Sequence, residues 1–215
     1  MIDMLNEIDA VQREVGVGRV PAGEGRVVRL RRTYDAPIGD VWDALTNPER
    51  IGRWFLPISG DYRLGGHYQF EGNAGGTILG CDRPRRLHAT WVMGEMAGPS
   101  ASEVEVLLTE AGDEATTVEL VHTAIVPDEM WDQYGPGAVG VGWDGGVLGL
   151  ALHLRGGSVG DPIAWQLSPE GREFFTRSSE AWGAANTAAG ADPDAAARAV
   201  VNTTAFYAPD PDAAS

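Results

Sequence analysis

The sequence predicts an α+β domain with a helical C-terminal extension. Three observations lead there: a strand followed by two short helices over residues 27–55, period-2 strands between 68 and 124, and a long apolar segment, 127–154, that reads as a closing helix. Alternating apolar positions put a strand half-buried on a core, and apolar positions at three- and four-residue spacing do the same for a helix. With 215 residues and a hydrophobic fraction of 43%, the chain can bury one good-sized core with an appendage.

The elements follow in order. Ile2, Leu5, Ile8 and Val11 recur at three-residue spacing, so 1–13 is expected to hold a short amphipathic helix, and 16–25 a linker. Val27, Val28, Leu30 and Tyr34 read as β. Asp35 is expected to cap the next helix, with Pro37 in its first turn, where a missing N–H costs little. Ile38, Val41, Trp42 and Leu45 give that helix one apolar stripe, and Asn47-Pro48 stops it. Arg50 to Trp54 makes a further turn, ending in the bulky pair Trp54-Phe55. Tyr68 and Phe70 mark a strand, Asn73 to Gly76 a hairpin turn, and Thr77 to Cys81 the return. Leu87, Ala89, Trp91 and Met93 then alternate with Arg86, His88, Thr90 and Val92, which gives a strand with distinct faces. Val104, Val106 and Leu108 form another strand, and Val118, Leu120, His122 and Ala124 share a face on the last. After Gly156-Gly157 the composition shifts. Ser168 is the expected N-cap of a helix carrying Phe174, Phe175, Ser178, Trp182 and Ala185, and Asp192-Pro193 opens a second, Ala-rich helix. The division is therefore 1–24 N-terminal helix and linker, 25–154 main domain, 155–208 helical extension and 209–215 loose tail. The extension is too thin for a core of its own. It must pack on the main domain or on a second copy of the chain, giving a homodimer.

Ala-Pro-x-x-x-Val-Trp-x-Ala-Leu-Thr-x-Pro-Glu-x-x-x-x-Trp-Phe stands from Ala36 to Phe55. Gly65-Gly66 before an aromatic strand, Pro84 with Leu87 and Trp91, Thr117 with His122, and Gly142-Trp143 extend the pattern. In these residues, over roughly 25–154, the chain resembles the START-like (SRPBCC) superfamily, and within it the family named for the activator of the heat-shock-protein-90 ATPase. The resemblance implies a helix-grip fold, in which a curved antiparallel sheet wraps a long C-terminal helix and encloses an elongated cavity. That superfamily includes lipid carriers, hormone receptors, polyketide cyclases and co-chaperones, so the fold does not choose the function.

Composition narrows the choice. There are 31 acidic residues against 16 basic ones, every one of the latter Arg, for a net charge of −15. Absence of Lys excludes Schiff-base chemistry, and the charge opposes nucleic-acid and membrane-surface partners. No run approaches the ~20 apolar residues that span a bilayer. A single cysteine, Cys81, excludes an internal disulfide, and the acidic N-terminus lacks the order of a signal peptide, so a cytoplasmic setting is expected.

No catalytic set emerges from spacing. Gly135-x-Gly137-x-x-Gly140 fits the dinucleotide pattern, but the preceding segment reads as helix, not strand, so a broken helix start with close backbone packing is the better reading. The four histidines lie too far apart for a metal frame, and no cofactor is implied. His122 differs from the other three because Val118 and Leu120 place it on the apolar face. Asp132 and Asp144 cannot be phased across the intervening glycines. The leading expectation is a cytoplasmic binding protein for a small hydrophobic or aromatic ligand, walled by Trp54, Tyr68, Phe70, Trp91 and Trp143, with His122 as polar anchor. The alternatives are an interaction module like the chaperone-ATPase activator, or a polyketide-cyclase-like enzyme needing an acid–base pair of which only His122 is in sight.

Overall fold

In the computed structural model, residues 4, 6–94 and 100–209 are described. The expected tail beyond 209 and the stripe residues Ile2 and Leu5 lie outside them. A short helix α1 (Asn6–Asp9) precedes β1 (Gln12–Val20) and β2 (Gly23–Tyr34). Two small helices follow, α2 (Ile38–Thr46) and α3 (Pro48–Ile51), then β3 (Ile58–Gly60), β4 (His67–Phe70), β5 (Gly75–Asp82), β6 (Arg86–Thr90), β7 (Ser102–Glu110) and β8 (Thr116–Ala124). The chain ends in helices α4 (Asp128–Tyr134), α5 (Gly137–Leu154), α6 (Pro162–Leu167), α7 (Pro169–Ala188) and α8 (Pro193–Tyr207).

All eight strands join one antiparallel sheet in the order β1-β2-β8-β7-β6-β5-β4-β3. β2 and β8 lie side by side, second and third from one edge of the sheet, and α5 packs against β2. On β2 the inward positions are Val28, Leu30, Arg32 and Tyr34, all buried, with Arg31 and Thr33 exposed between them.

Two expectations are corrected here. Residues 12–20 are a strand, not the end of a helix and a linker: Gln12 pairs with Arg31 and Val20 with Gly23 across a tight turn at Pro21-Ala22. Gly16 and Gly18 disguise a strand whose Val15, Val17 and Val20 carry the β preference. At Gly18 a Cβ would meet the Val27 side chain at 2.7 Å, so the glycine admits its neighbour. Secondly, α2 begins after Pro37 with no side-chain cap; Asp35 does not serve. The other caps are as expected: Ser168 accepts from the Gly171 N–H and Asp192 from the Ala195 N–H.

The closing segment breaks where the glycines predict. α4 ends at Gly135, whose φ of 57° suits glycine, and α5 restarts after Pro136. The extension folds back on its own chain. α7 packs on α5 and β1 and holds α8, so Phe174, Phe175 and Trp182 are buried within the monomer. α5 is thereby covered on two sides, by the sheet and by the extension, which is why it is apolar all round and shows no single stripe.

Candidate ligand cavity

The cavity lies between the sheet and one face of α5, with a volume of about 610 Å³. That is within the range of sites that hold drug-sized molecules. Its floor is the inward face of β2, β6, β7 and β8, and its roof is Trp143, Gly146, Val147 and Leu150 of α5. α2 and the turn after α3 close one side through Trp42 and Trp54, and β4 the other through Tyr68 and Phe70. The mouth is marked by lining residues that are also exposed, Tyr62 and Leu64. No residue of the extension reaches the cavity, so the extension does not plug it.

Five of the six expected site residues stand in the wall: Trp54, Tyr68, Phe70, Trp91 and Trp143. All but Tyr68 meet around Phe55, whose signal lay in the Trp54-Phe55 pair; the Tyr68 ring joins through Phe70 and Trp91. Its ring is 5.0 Å from Phe70, edge-on, and 6.5 Å from Trp143, nearly parallel. Trp91 and Trp143 approach to 4.7 Å between centroids, joining the sheet side to the helix side. β6 ends at Thr90, but the Trp91 N–H still bonds the Ser102 carbonyl at 2.9 Å, which holds the ring on the inward face. The polar edges of two wall residues are spent on backbone. Tyr68 donates to the Thr90 carbonyl and the Trp54 indole to the Ala44 carbonyl, so these side chains present rings rather than hydrogen-bonding groups.

His122 is placed differently from the expectation. It is buried on the predicted face but lies outside the cavity wall, covered by Trp143, whose indole N–H donates to its Nδ1 at 3.1 Å. An indole can only donate, so Nδ1 is the accepting nitrogen and the proton is on Nε2, which donates to Ser102 Oγ at 2.9 Å. Burial pushes its pKa down to about 4, which keeps the ring neutral. A direct anchor for a ligand is therefore replaced by a positioning role: Ser102 and His122 fix the Trp143 ring in the roof.

Sequence reasoning missed the two most consequential polar residues of the wall, Arg32 and Trp42. Both line the cavity and both are almost fully buried. The two terminal nitrogens of Arg32 go to Glu7, one to its carboxylate and one to its carbonyl, and Arg155 takes the other carboxylate oxygen at 2.7 Å. Burial pushes the Glu7 carboxyl up, but the hydrogen bonds from Arg32 and Arg155 outweigh it and hold the group below its ordinary value. The Arg32 Nε and the Trp42 Nε1 have no acceptor among the described residues. A buried donor left unpaired costs about 1–3 kcal/mol. The alternation of β2 was the available signal, since it puts Arg32 on the same face as Leu30.

On the opposite face of α5, Asp144 is fully buried and faces the extension. It receives Arg13 Nε and Nη at 3.0 Å each, Ser178 Oγ at 2.5 Å and the Trp182 indole at 3.0 Å. Burial pushes its carboxyl upward, yet Arg13 beside it and every converging N–H favour the ionised form. Asp132 is exposed. The Gly135-x-Gly137-x-x-Gly140 motif serves packing: a Cβ at Gly137 would meet Thr203 at 2.8 Å, and one at Gly140 would meet Trp182 at 2.2 Å. Among the described residues no group of three or more His, Cys, Asp or Glu is placed to hold a metal ion, and no helix is long and apolar enough to cross a membrane.

Residues 35–150 match the family model described as Activator of Hsp90 ATPase homolog 1-like protein. The chain belongs to that family. Among solved structures it is similar to CalU16 from Micromonospora echinospora, at 38% identity and a TM-score of 0.67, over 82% of this chain and 98% of that one. The solution structure of the same protein aligns with a TM-score of 0.69. DynU16, described as a protein of the dynemicin biosynthetic locus, is 27% identical with a TM-score of 0.50, over 60% of this chain and 47% of that one. None of the curated proteins matches. The CalU16 alignment extends well beyond the family region, so most of this chain, and not the family core alone, has a counterpart there.

Proposed function

We propose that this chain is a cytoplasmic binding protein for a small apolar or aromatic molecule, held between the sheet and α5. The cavity carries this reading. A space of about 610 Å³ with aromatic walls stays open on one side of α5, whereas the space among α7, α8 and the start of α5 at Gly137 is about 10 Å³. Close packing is the default of a protein interior, and an apolar void forfeits dispersion contacts on all its walls. A molecule that restores those contacts gains affinity from them. The similar protein DynU16 is described by its place in a biosynthetic locus, and work beside small-molecule synthesis suits a chain that keeps such a space. The expected partners are then a small apolar molecule and, through the extension, whose Val201 and Phe206 are exposed, a second copy of the chain. Nucleic acid and membranes are not expected partners of so acidic a chain.

The test is tryptophan emission during titration with anilinonaphthalene sulfonate. Binding should quench wild type and lose most of the response in Trp91→Phe and in Trp143→Phe, at unchanged thermal stability. An equal response in all three proteins would remove the cavity as the binding site.

A further inference from the structure

We infer that the free edge of β1 is an interface: it pairs with β1 of a second copy of this chain, antiparallel and about a two-fold axis through Val17, joining two sheets into one. This places the second copy on a different surface from the extension, and it does not depend on the cavity.

The two edges of the sheet are unlike. β3 is three residues long, and so short a strand blunts its edge. β1 runs for nine residues in unbroken register with β2 and carries no Pro, Lys or bulge, the devices that keep strand edges from pairing. Its two-residue turn makes Val20–Gly23 a hydrogen-bonded pair, so by alternation the even residues of β1 bond to β2. The N–H and C=O groups of Arg13, Val15, Val17 and Arg19 therefore point out of the sheet, and they have no partner among the described residues. α7 reaches the Arg13 end of the strand, where Asp144 links Arg13 to Ser178, but Val17 beyond it is 62% exposed.

A two-fold axis normal to a sheet sets residues of equal parity opposite each other. Centred on Val17, it sets Val17 against Val17 and Val15 against Arg19, and the three facing pairs exchange about six backbone bonds. The exposed valine of β1 is then buried on its own copy. Gly16 and Gly18 face each other on the opposite side of the sheet, and at Gly16 a Cβ would meet nothing within 4 Å, so no side chain obstructs the approach. No like charges are opposed in this register. Centring on Gly16 would set Arg13 against Arg19, which is destabilising. Centring on Val15 would set Arg19 against Val11, whose N–H is already spent on the Ile8 carbonyl. The edge is complementary to itself, and this singles out a second copy as its occupant over an unrelated extended chain.

Sedimentation velocity of the full-length protein reads the oligomeric state, and backbone amide exchange reads the edge. Wild type should dimerise. The amides of Val15, Val17 and Arg19 should exchange more slowly as concentration rises, while those of Gly16 and Gly18, already bonded to β2, stay unchanged. Val17→Pro removes an edge donor but no β1–β2 bond and should give a monomer. Val17→Asp keeps every N–H, sets two carboxylates together on the axis and should weaken the dimer about tenfold or more. It decides the matter if the proline variant does not fold. Phe206→Asp, at an exposed position of α8, should leave the dimer intact. A monomeric wild type overturns the inference. So does a dimer that survives Val17→Asp, or one that Phe206→Asp abolishes, since that contact lies on the extension.

Discussion

The two faces of α5 solve opposite problems with similar material. Each carries an aromatic cluster: Phe55, Phe70, Trp91 and Trp143 toward the sheet, and Trp165, Phe174, Phe175 and Trp182 toward the extension. The extension face is closed. Gly140 lets the Trp182 ring lie on the helix backbone, and the ionised Asp144 ties β1, α5 and α7 together through four hydrogen bonds. The cavity face is open: Arg32, paired with Glu7, stands in its wall, and behind the Trp143 roof lies a neutral network, Ser102–His122–Trp143. One face of the helix is built to hold the fold and the other to leave room. A helix apolar on all sides can do this because the extension takes up the surface that the sheet does not cover.

The largest effect should come from breaking the ionic node. Asp144→Ala strands the buried Arg13 guanidinium without its carboxylate, and removing one partner of a buried pair costs about 3–5 kcal/mol. Urea unfolding should show that loss, while the protein that remains folded quenches with the same probe affinity as wild type. A loss under about 1 kcal/mol would mean that the node does not hold the extension, and a collapse of probe binding would mean that the two faces are not independent.

The neutral network gives the next effect, through pH. His122 has a folded pKa of about 4, below its unfolded value near 6.5. Between these values the unfolded chain binds a proton that the folded chain does not, so stability rises with pH across the window and is lost as pH falls from 6.5 to 4. The shift corresponds to roughly 3 kcal/mol at the acid end. The difference between wild type and His122→Gln isolates this group, because Glu7 and Asp144 are common to both. Parallel stability–pH curves for the two proteins would show His122 to be accessible to protons in the folded state, contrary to its burial.

The asymmetry also explains what could be read from the chain. The cavity side was legible because strands advertise their faces: the alternation at Val118, Leu120 and His122 put the histidine inward, and the motif ending in Trp54-Phe55 marked the wall. Which group ends up behind which was not legible, because Trp143 covers His122 from another element. Asp144 escaped assignment because glycines and apolar residues surround it in α5 and leave no stripe from which to phase the helix. β1 was hidden by Gly16 and Gly18, which reduce β-propensity locally while the pairing with β2 decides the conformation. Arg32 was overlooked although β2 alternates clearly, since a charged residue on an inward position reads as an exception until Glu7 is found beside it.

The smallest effects discriminate best between the faces. Gly140→Ala would put a methyl group 2.2 Å from the Trp182 ring, which is fully buried and rigid, so α5 and α7 must separate. Overpacking of this kind costs about 1–3 kcal/mol. On the cavity face, the Cβ of Gly146→Ala would lie 3.6 Å from the Phe55 ring, an ordinary contact. Replacing an interior helix glycine by alanine gains roughly 0.5–1 kcal/mol from the reduced backbone entropy of the unfolded chain. The same substitution, six residues apart in one helix and so on different faces, is thus expected to change sign with the face it occupies. Thermal melts of the two variants under one condition measure this directly: Gly140→Ala should melt below wild type and Gly146→Ala above it. Destabilisation of similar size in both would mean that the roof of the cavity is as tightly packed as the extension interface, and the contrast between the faces would fail.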